Sequence, residues 1–178
     1  MIKFYTGGMF AGKTTSLLIQ ANKEKREGKR VGIFKPSFDT RYGNGVVKTH
    51  DGIYREAIAI KNSNELVRYI DDFDVFCFDE IQFFDLAVPE IIHTLHFFNK
   101  TVIVAGLNFD YKREWFANSR AISEIADEVI LLHARCFYCG EDADQSLRLV
   151  NSDKLFELGS SEKYVPACTN CHIEHFEK

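Results

Sequence analysis

The sequence predicts an α/β fold, a mostly parallel sheet flanked by helices, followed by a small cysteine-bearing unit. Three observations carry this reading. Over the first 133 residues short apolar runs alternate with longer amphipathic ones; repeated strand–helix–strand order implies parallel pairing with helices on both faces. Val75-Phe76-Cys77-Phe78 and Thr101-Val102-Ile103-Val104-Ala105 are unbroken apolar runs, the pattern of strands buried on both sides. After Ala134 the chain turns short-elemented and turn-rich and holds four cysteines in two C-x-x-C pairs. The division this suggests is an α/β domain over residues 1–134 and a small β-rich, metal-binding domain over residues 135–178.

The elements follow in order. Ile2-Lys3-Phe4-Tyr5 reads as the first strand. From Lys13 to Glu27 apolar residues give way to Lys23, Glu24, Lys25, Arg26 and Glu27, and Gly28 supplies a helix stop. Val31-Gly32-Ile33-Phe34 is a second strand and Glu56–Ile60 a weaker one. Asn62 followed by Glu65 marks a helix start leading to Leu66, Val67, Tyr69 and Ile70. Beyond the buried strand at 75–78, residues 86–98 give a helix expected to bury Leu86, Ile91, Leu95 and Phe98. After the strand at 101–105, Ala117–Ala126 suggests a short helix and Val129–Leu132 a last strand. Pro36–Gly52 and Leu107–Asn118 fit no regular element, and polar connections this long are often functional loops. No internal repeat or low-complexity segment is present.

Composition narrows the function classes. The 178 residues are 46% hydrophobic and 27% charged, which is the composition of a folded globular protein. A net charge of -4 leaves no basic footprint, so a dedicated nucleic-acid binder is disfavoured. No apolar run approaches the ~20 residues of a membrane span, and Met1–Tyr5 shows no signal-peptide layout. A cytoplasmic protein is expected, with neither membrane nor nucleic acid as partner. Paired cysteines, with Cys77 apart from them, suit a reducing compartment and a metal better than a disulfide framework.

Gly7, Gly8, Met9, Phe10, Ala11, Gly12, Lys13 and Thr14 satisfy G-x-x-x-x-G-K-S/T between the first strand and the first helix, the context that makes the pattern informative. Such a turn points backbone N–H groups at phosphate oxygens, and the helix start adds partial positive charge. Lys13 would reach the terminal phosphates and Thr14 would ligate Mg²⁺. The fold is thereby P-loop NTPase-like. Its second half is an acid ending a buried strand, and Asp79, directly after Phe78, is that acid. Glu80 points the opposite way if strand geometry persists, and a carboxylate there can take a proton from an attacking hydroxyl. Local cations must offset the charge of a nucleotide; Lys13, Arg41, Lys112, Arg113 and Arg120 are the candidates.

Cys136, Cys139, Cys168 and Cys171 form two knuckles separated by 28 residues. Four thiolates with no open position describe a structural zinc site, which for so short a segment would supply much of the folding free energy. His172 is a possible substitute ligand and His175 a weaker one; His93 and His96 read as surface or core histidines. The zinc would hold the intervening loop, Gln145–Pro166.

Cradle, Asp79-Glu80-Ile81-Gln82 and knuckles, in this order, resemble the zinc-containing P-loop class of thymidine kinases. The similarity runs through Gly7–Thr15, Lys35–Tyr42 with Thr49-His50-Asp51, Phe78–Phe84, Ala105–Tyr111, Cys136–Gly140 and Gly159–Cys171. The resemblance implies transfer of the γ-phosphoryl of ATP to the 5′-hydroxyl of thymidine, or of deoxyuridine in some cases. It places Glu80 as catalytic base and Asp79 as the magnesium-linked acid. Residues 8–15, including Thr15, and 79–82, including Ile81 and Gln82, correspond to ATP-contacting segments, and Arg41 lies near the phosphoryl path. Met9, Phe83, Leu107 and Tyr111 match the walls around the thymine ring. Ser146 and Tyr164 match thymidine contacts in and beside a zinc-anchored lasso loop that closes over the base. The family commonly forms homotetramers and is often inhibited by the end-product triphosphate, dTTP.

The chain departs from the family at several places. Gly8 and Trp115 stand for prolines, Ile81 for a small residue, Asn108 for an aspartate, Ser146 for a threonine and Thr169 for an arginine. None removes a catalytic group. Two other readings compete: a P-loop switch or ATPase whose knuckle binds a partner or nucleic acid, and a kinase for another deoxynucleoside. Against the first, residues 135–178 set Arg135, Arg148, Lys154, Lys163 and Lys178 against more acids, Glu141, Asp142 and Asp144 among them.

Overall fold

A computed structural model describes residues 1–39, 45–48, 54–150 and 163–176. Strand β1 (Ile2–Gly7) leads through the glycine-rich turn into helix α1 (Lys13–Arg26), and β2 (Val31–Pro36) follows. Three short strands come next: β3 (Val46–Lys48), β4 (Tyr54–Glu56) and β5 (Ile58–Ile60). A 3₁₀ segment (Ser63–Tyr69) precedes β6 (Val75–Phe78), and a 3₁₀ turn (Ile81–Phe83) precedes α2 (Val88–Phe97). Then come β7 (Thr101–Leu107), α3 (Ala117–Ile125) and β8 (Glu128–Leu132). The remainder is β9 (Ala134–Arg135), β10 (Asp142–Ala143), β11 (Gln145–Arg148), β12 (Tyr164–Ala167) and α4 (Thr169–Phe176).

One six-stranded sheet has the order β5-β2-β6-β7-β1-β8, every pairing parallel. The ribbons β3–β4, β9–β10 and β11–β12 are antiparallel. Because side chains alternate along a strand, the continuous apolar runs feed two cores. Phe4, Phe34, Phe76, Phe78, Val102 and Val104 face α2, α3 and the 3₁₀ segment through Leu66, Ile92, Leu95 and Ile122. Val75, Cys77, Ile103 and Ala105 face α1 through Leu17, Leu18 and Ala21. Helices on both faces explain why the central strands carry almost no polar residue. Phe34 stacks on Phe76 and Phe78 at 5.4 and 5.5 Å between ring centroids, tying β2 to β6.

Three local expectations change. Asn62 and Glu65 do form a reciprocal capping box, but the segment they start is 3₁₀. Its period of three puts Ser63, Leu66 and Tyr69 on one side; Ser63 and Leu66 are buried while Val67 is 57% exposed. Helix α2 buries Val88, Ile92 and Leu95, whereas Leu86 and Phe98 lie outside it and are exposed. The Asp85 carboxylate sets that start, accepting from Ser63 N–H (2.6 Å), Ser63 Oγ (2.7 Å) and Ala87 N–H (3.0 Å). The connection after Pro36 holds β3, whose Val47 packs against the α1 side of the sheet. No helix among the described residues is long and apolar enough to cross a membrane.

Candidate active site

The polar groups singled out from the sequence gather where β1, β6 and β7 end, the side of a parallel sheet on which ligands bind. Leaving β1, the backbone curls through Gly7 (φ 145°), Phe10 (φ 65°) and Gly12 (φ 78°) before α1 begins at Lys13. Alternation of left-handed with ordinary residues turns successive N–H groups inward as an anion nest. Lys13 Nζ donates to the Gly8 carbonyl at 2.5 Å, folding over the loop it follows. Gly8 also lies flush against another element: a Cβ there would stand 3.0 Å from the Asp144 and Gln145 carbonyl oxygens. Beside it, Met9 N–H donates to Ser146 Oγ at 2.9 Å. The cradle therefore touches β11 directly.

Helix α1 crosses over β7 and brings Thr14 to Asp79. Thr14 Oγ lies 3.0 and 3.2 Å from the two Asp79 carboxylate oxygens. Asp79 is buried, and its N–H donates to the Phe34 carbonyl at 3.0 Å. A hydroxyl and a carboxylate within one coordination radius are hard oxygen donors suited to Mg²⁺.

Glu80 does not continue the strand. Regular structure in β6 ends at Phe78, and Glu80 takes the left-handed conformation (φ 56°, ψ 46°) as the entry to the Ile81–Phe83 turn. A non-glycine residue held there is strained by ~1 kcal/mol or more, and such strain gathers at functional sites. Gln82 is buried; its Nε2 donates to Glu80 Oε2 at 2.6 Å and its Oε1 accepts from Leu107 N–H at 3.0 Å. Ile81, the larger residue noted above, is fully buried beside Gly106, where a Cβ would sit 2.5 Å from Ile81 Cγ2 and 2.7 Å from Gln82 Oε1.

Leu107 is pinned at both backbone groups, its carbonyl accepting from Ser119 Oγ at 2.6 Å. Phe83 sits between Phe38 and Phe116, at 5.6 and 6.2 Å between centroids, both edge-on. The connection after Leu107 is ordered by Asp110, whose Oδ1 accepts from Lys112 and Glu114 N–H, and by the packing of Phe109 on Trp115 at 4.5 Å. Asn108 is buried; its Oδ1 accepts from Phe109 N–H and its carbonyl from Phe116 N–H.

Ser146 and Tyr164 are both buried on the β11–β12 ribbon. Arg148 and His172, whose contacts here the sequence did not indicate, tie this ribbon and α4 to Tyr111. The Arg148 guanidinium stacks 3.7 Å from the Tyr111 ring and donates to Tyr164 Oη at 2.9 Å through Nη2. His172 Nε2 lies 3.1 Å from the Tyr111 carbonyl, so this candidate metal ligand faces Tyr111, and burial holds its pKa below the usual value. The sequence signal for Arg148 was only a cation flanked by apolar residues, which specifies no partner. Arg41, Thr49-His50-Asp51 and residues 151–162 of the expected lasso lie outside the described residues.

The sulfur atoms of Cys136, Cys139, Cys168 and Cys171 all lie within 4.8 Å of one another. A tetrahedral ion with ~2.3 Å bonds fits this set. Burial works against the Cys136 thiolate, but backbone N–H groups of Cys168, Cys139 and Tyr138 outweigh it and bring the thiol to about 6. Cys171 is pushed upward by desolvation and by its neighbouring sulfurs. A shared cation favours the thiolate form of all four sulfurs and offsets the repulsion among them. The cluster closes the ends of α4, β12 and the Cys136–Gly140 turn into one unit.

Comparison with known proteins bears on this geometry. The family model described as thymidine kinase matches residues 1–172. A protein named thymidine kinase from Bacteroides fragilis (strain YCH46) is 38% identical over 171 residues, covering 96% of this chain and 86% of its own length. One of the same name from Pseudothermotoga lettingae is 36% identical, with 93% and 91% covered. Among solved structures, the genome packaging NTPase B204 from Sulfolobus turreted icosahedral virus 2 is 12% identical with a TM-score of 0.47, covering 75% of each chain. AMPPCP-bound DnaA from Aquifex aeolicus is 18% identical with a TM-score of 0.44, covering 73% of this chain and 39% of its own. A match across nearly the whole length, with cradle, acid pair and cysteine cluster each in place, settles the kinship: this chain belongs to the thymidine kinase family.

Proposed function

We propose that the chain transfers the γ-phosphoryl of ATP to the 5′-hydroxyl of thymidine, giving dTMP and ADP in pyrimidine deoxynucleotide salvage. The observation that supports it most is the convergence of Lys13, Thr14, Asp79 and Glu80 at one sheet end in a member of this family. Glu80 takes the 5′-hydroxyl proton as that oxygen bonds to the γ-phosphorus and the bond to the ADP oxygen breaks. Lys13 and backbone N–H groups of the cradle other than that of Met9, which Ser146 takes, stabilise charge on the transferring group. Magnesium, which Thr14 and Asp79 would hold, neutralises phosphate charge when bound. Arg41 is assigned to the phosphoryl path, and residues 79–82 to the donor side.

Met9, Phe83, Leu107 and Tyr111 are the proposed walls for the thymine ring, with Ser146 and Tyr164 as contacts on the acceptor side. The four cysteines would hold a structural zinc that staples the loop Gln145–Pro166 as a lid that excludes water. Assembly as a homotetramer, inhibition by dTTP and a cytoplasmic location belong to the same reading; sedimentation and assays with added dTTP test the first two. The deciding experiment is phosphorylation of labelled thymidine, in competition with deoxyuridine and deoxycytidine, by the parent and by Glu80→Gln. The expected result is thymidine turnover by the parent and a loss of roughly 10²–10⁴-fold in kcat for the variant. Parental rates for Glu80→Gln would remove the assigned base, and no turnover of any nucleoside would remove the acceptor.

A further inference from the structure

We propose that Gln82 is the positioning residue of the candidate base, its side-chain amide fixing the Glu80 carboxylate to the end of strand β7. The inference rests on reading Glu80 as the base. Glu80 stands outside the strand at φ 56°, a conformation a glutamate leaves unless its surroundings hold it. The amide does the holding. Leu107 N–H can only donate, so the amide atom 3.0 Å from it must be the oxygen. The nitrogen then faces Glu80 Oε2 at 2.6 Å, and the orientation of the amide is set by chemistry.

A donor so placed requires an acceptor opposite, which favours the ionised carboxylate over the acid form. The same bond removes rotamer freedom from the side chain that must meet the acceptor hydroxyl. Gln82 is in turn immobile: it is buried, and Gly106 leaves its Oε1 room that a larger residue would take. Leu107, at the far end of the clamp, is fixed to α3 through Ser119 Oγ. The base and one proposed wall of the nucleoside pocket thus move as one body.

The test uses the full chain and three variants. Gln82→Glu keeps an oxygen for Leu107 N–H and replaces only the donor to Glu80, setting a second carboxylate against the first. The expected result is a kcat lower by roughly ten- to a hundredfold at neutral pH and an acid limb of the kcat–pH profile displaced to higher pH. Gln82→Met, which cannot donate at all, is expected to lower kcat similarly and serves if the first variant does not fold. An inactive Glu80→Gln beside a Gln82→Glu or Gln82→Met with parental kcat and pH profile would overturn the positioning role and leave the base reading intact. A fully active Glu80→Gln would overturn both.

Discussion

Ser146 Oγ accepts a hydrogen bond from Met9 N–H at 2.9 Å across 137 positions of sequence. It is a direct polar link between the phosphate cradle and the β11–β12 ribbon, and Gly8 lets the two backbones approach beside it. Removing the acceptor with Ser146→Ala leaves a part-buried N–H without this partner, a loss of ~0.5–1.5 kcal/mol. The expected result is a KM raised about two- to tenfold for ATP and for thymidine together, with Ser146→Thr near the parent. A rise for thymidine only, in initial-rate kinetics varying each substrate, would confine Ser146 to the acceptor side.

Metal content is expected at one ion per chain, measured by atomic emission after exhaustive dialysis. Cys171→Ser opens the tetrahedral set and is expected to lose the ion, since three sulfurs leave a position to water. Because such segments fold with their metal, a strong chelator should abolish thymidine turnover and lower the melting temperature, with excess zinc restoring both. Undiminished turnover in metal-free protein would end the structural role of the cluster.

Asp85 gives a pH dependence with a definite sign. Burial works against its ionised form, but the Ser63 hydroxyl, Ser63 N–H and Ala87 N–H outweigh burial and hold its pKa below the usual carboxylate value. A depressed folded pKa means the stabilisation is present above the unfolded value of ~3.9 and is lost as pH falls through the folded one. Asp85→Asn is therefore expected to cost ~1–2 kcal/mol in urea unfolding at pH 7. Its deficit should shrink below about pH 4. A deficit constant from pH 7 to pH 3 would assign the loss to something other than charge.

Gly106→Ala is expected to destabilise by ~1–3 kcal/mol, because the new methyl would meet Ile81 Cγ2 at 2.5 Å and Gln82 Oε1 at 2.7 Å. Both neighbours are packed in place, so the strain should reach Glu80 and lower kcat as well as stability. Thermal unfolding and initial rates on the same preparation check this; a variant as stable and as fast as the parent would show that the site relaxes.

Much of this molecule is legible in its residues. The central strands β6 and β7 announce themselves because parallel strands covered on both faces must be apolar throughout, and Phe76, Cys77 and Ile103 have no solvent face to serve. The cradle and the cysteine pairs are equally plain, since close-packed phosphate and metal chemistry demand particular residues at fixed short spacing. The capping box at Asn62 was visible too, being a contact between residues three apart.

What the sequence by itself determined is therefore local: which segments form the central strands of the main sheet, where the anion turn sits, which four sulfurs act together. Only the tertiary structure decided that Ser146 rests on Met9, that Arg148 stacks on Tyr111, and that Glu80 leaves its strand to be held by Gln82 against Leu107. Each joins groups remote in sequence or depends on a third element for its geometry. Periodicity and spacing describe a segment's own surface; hydrogen bonds between segments depend on how the sheet order and crossovers bring those surfaces together.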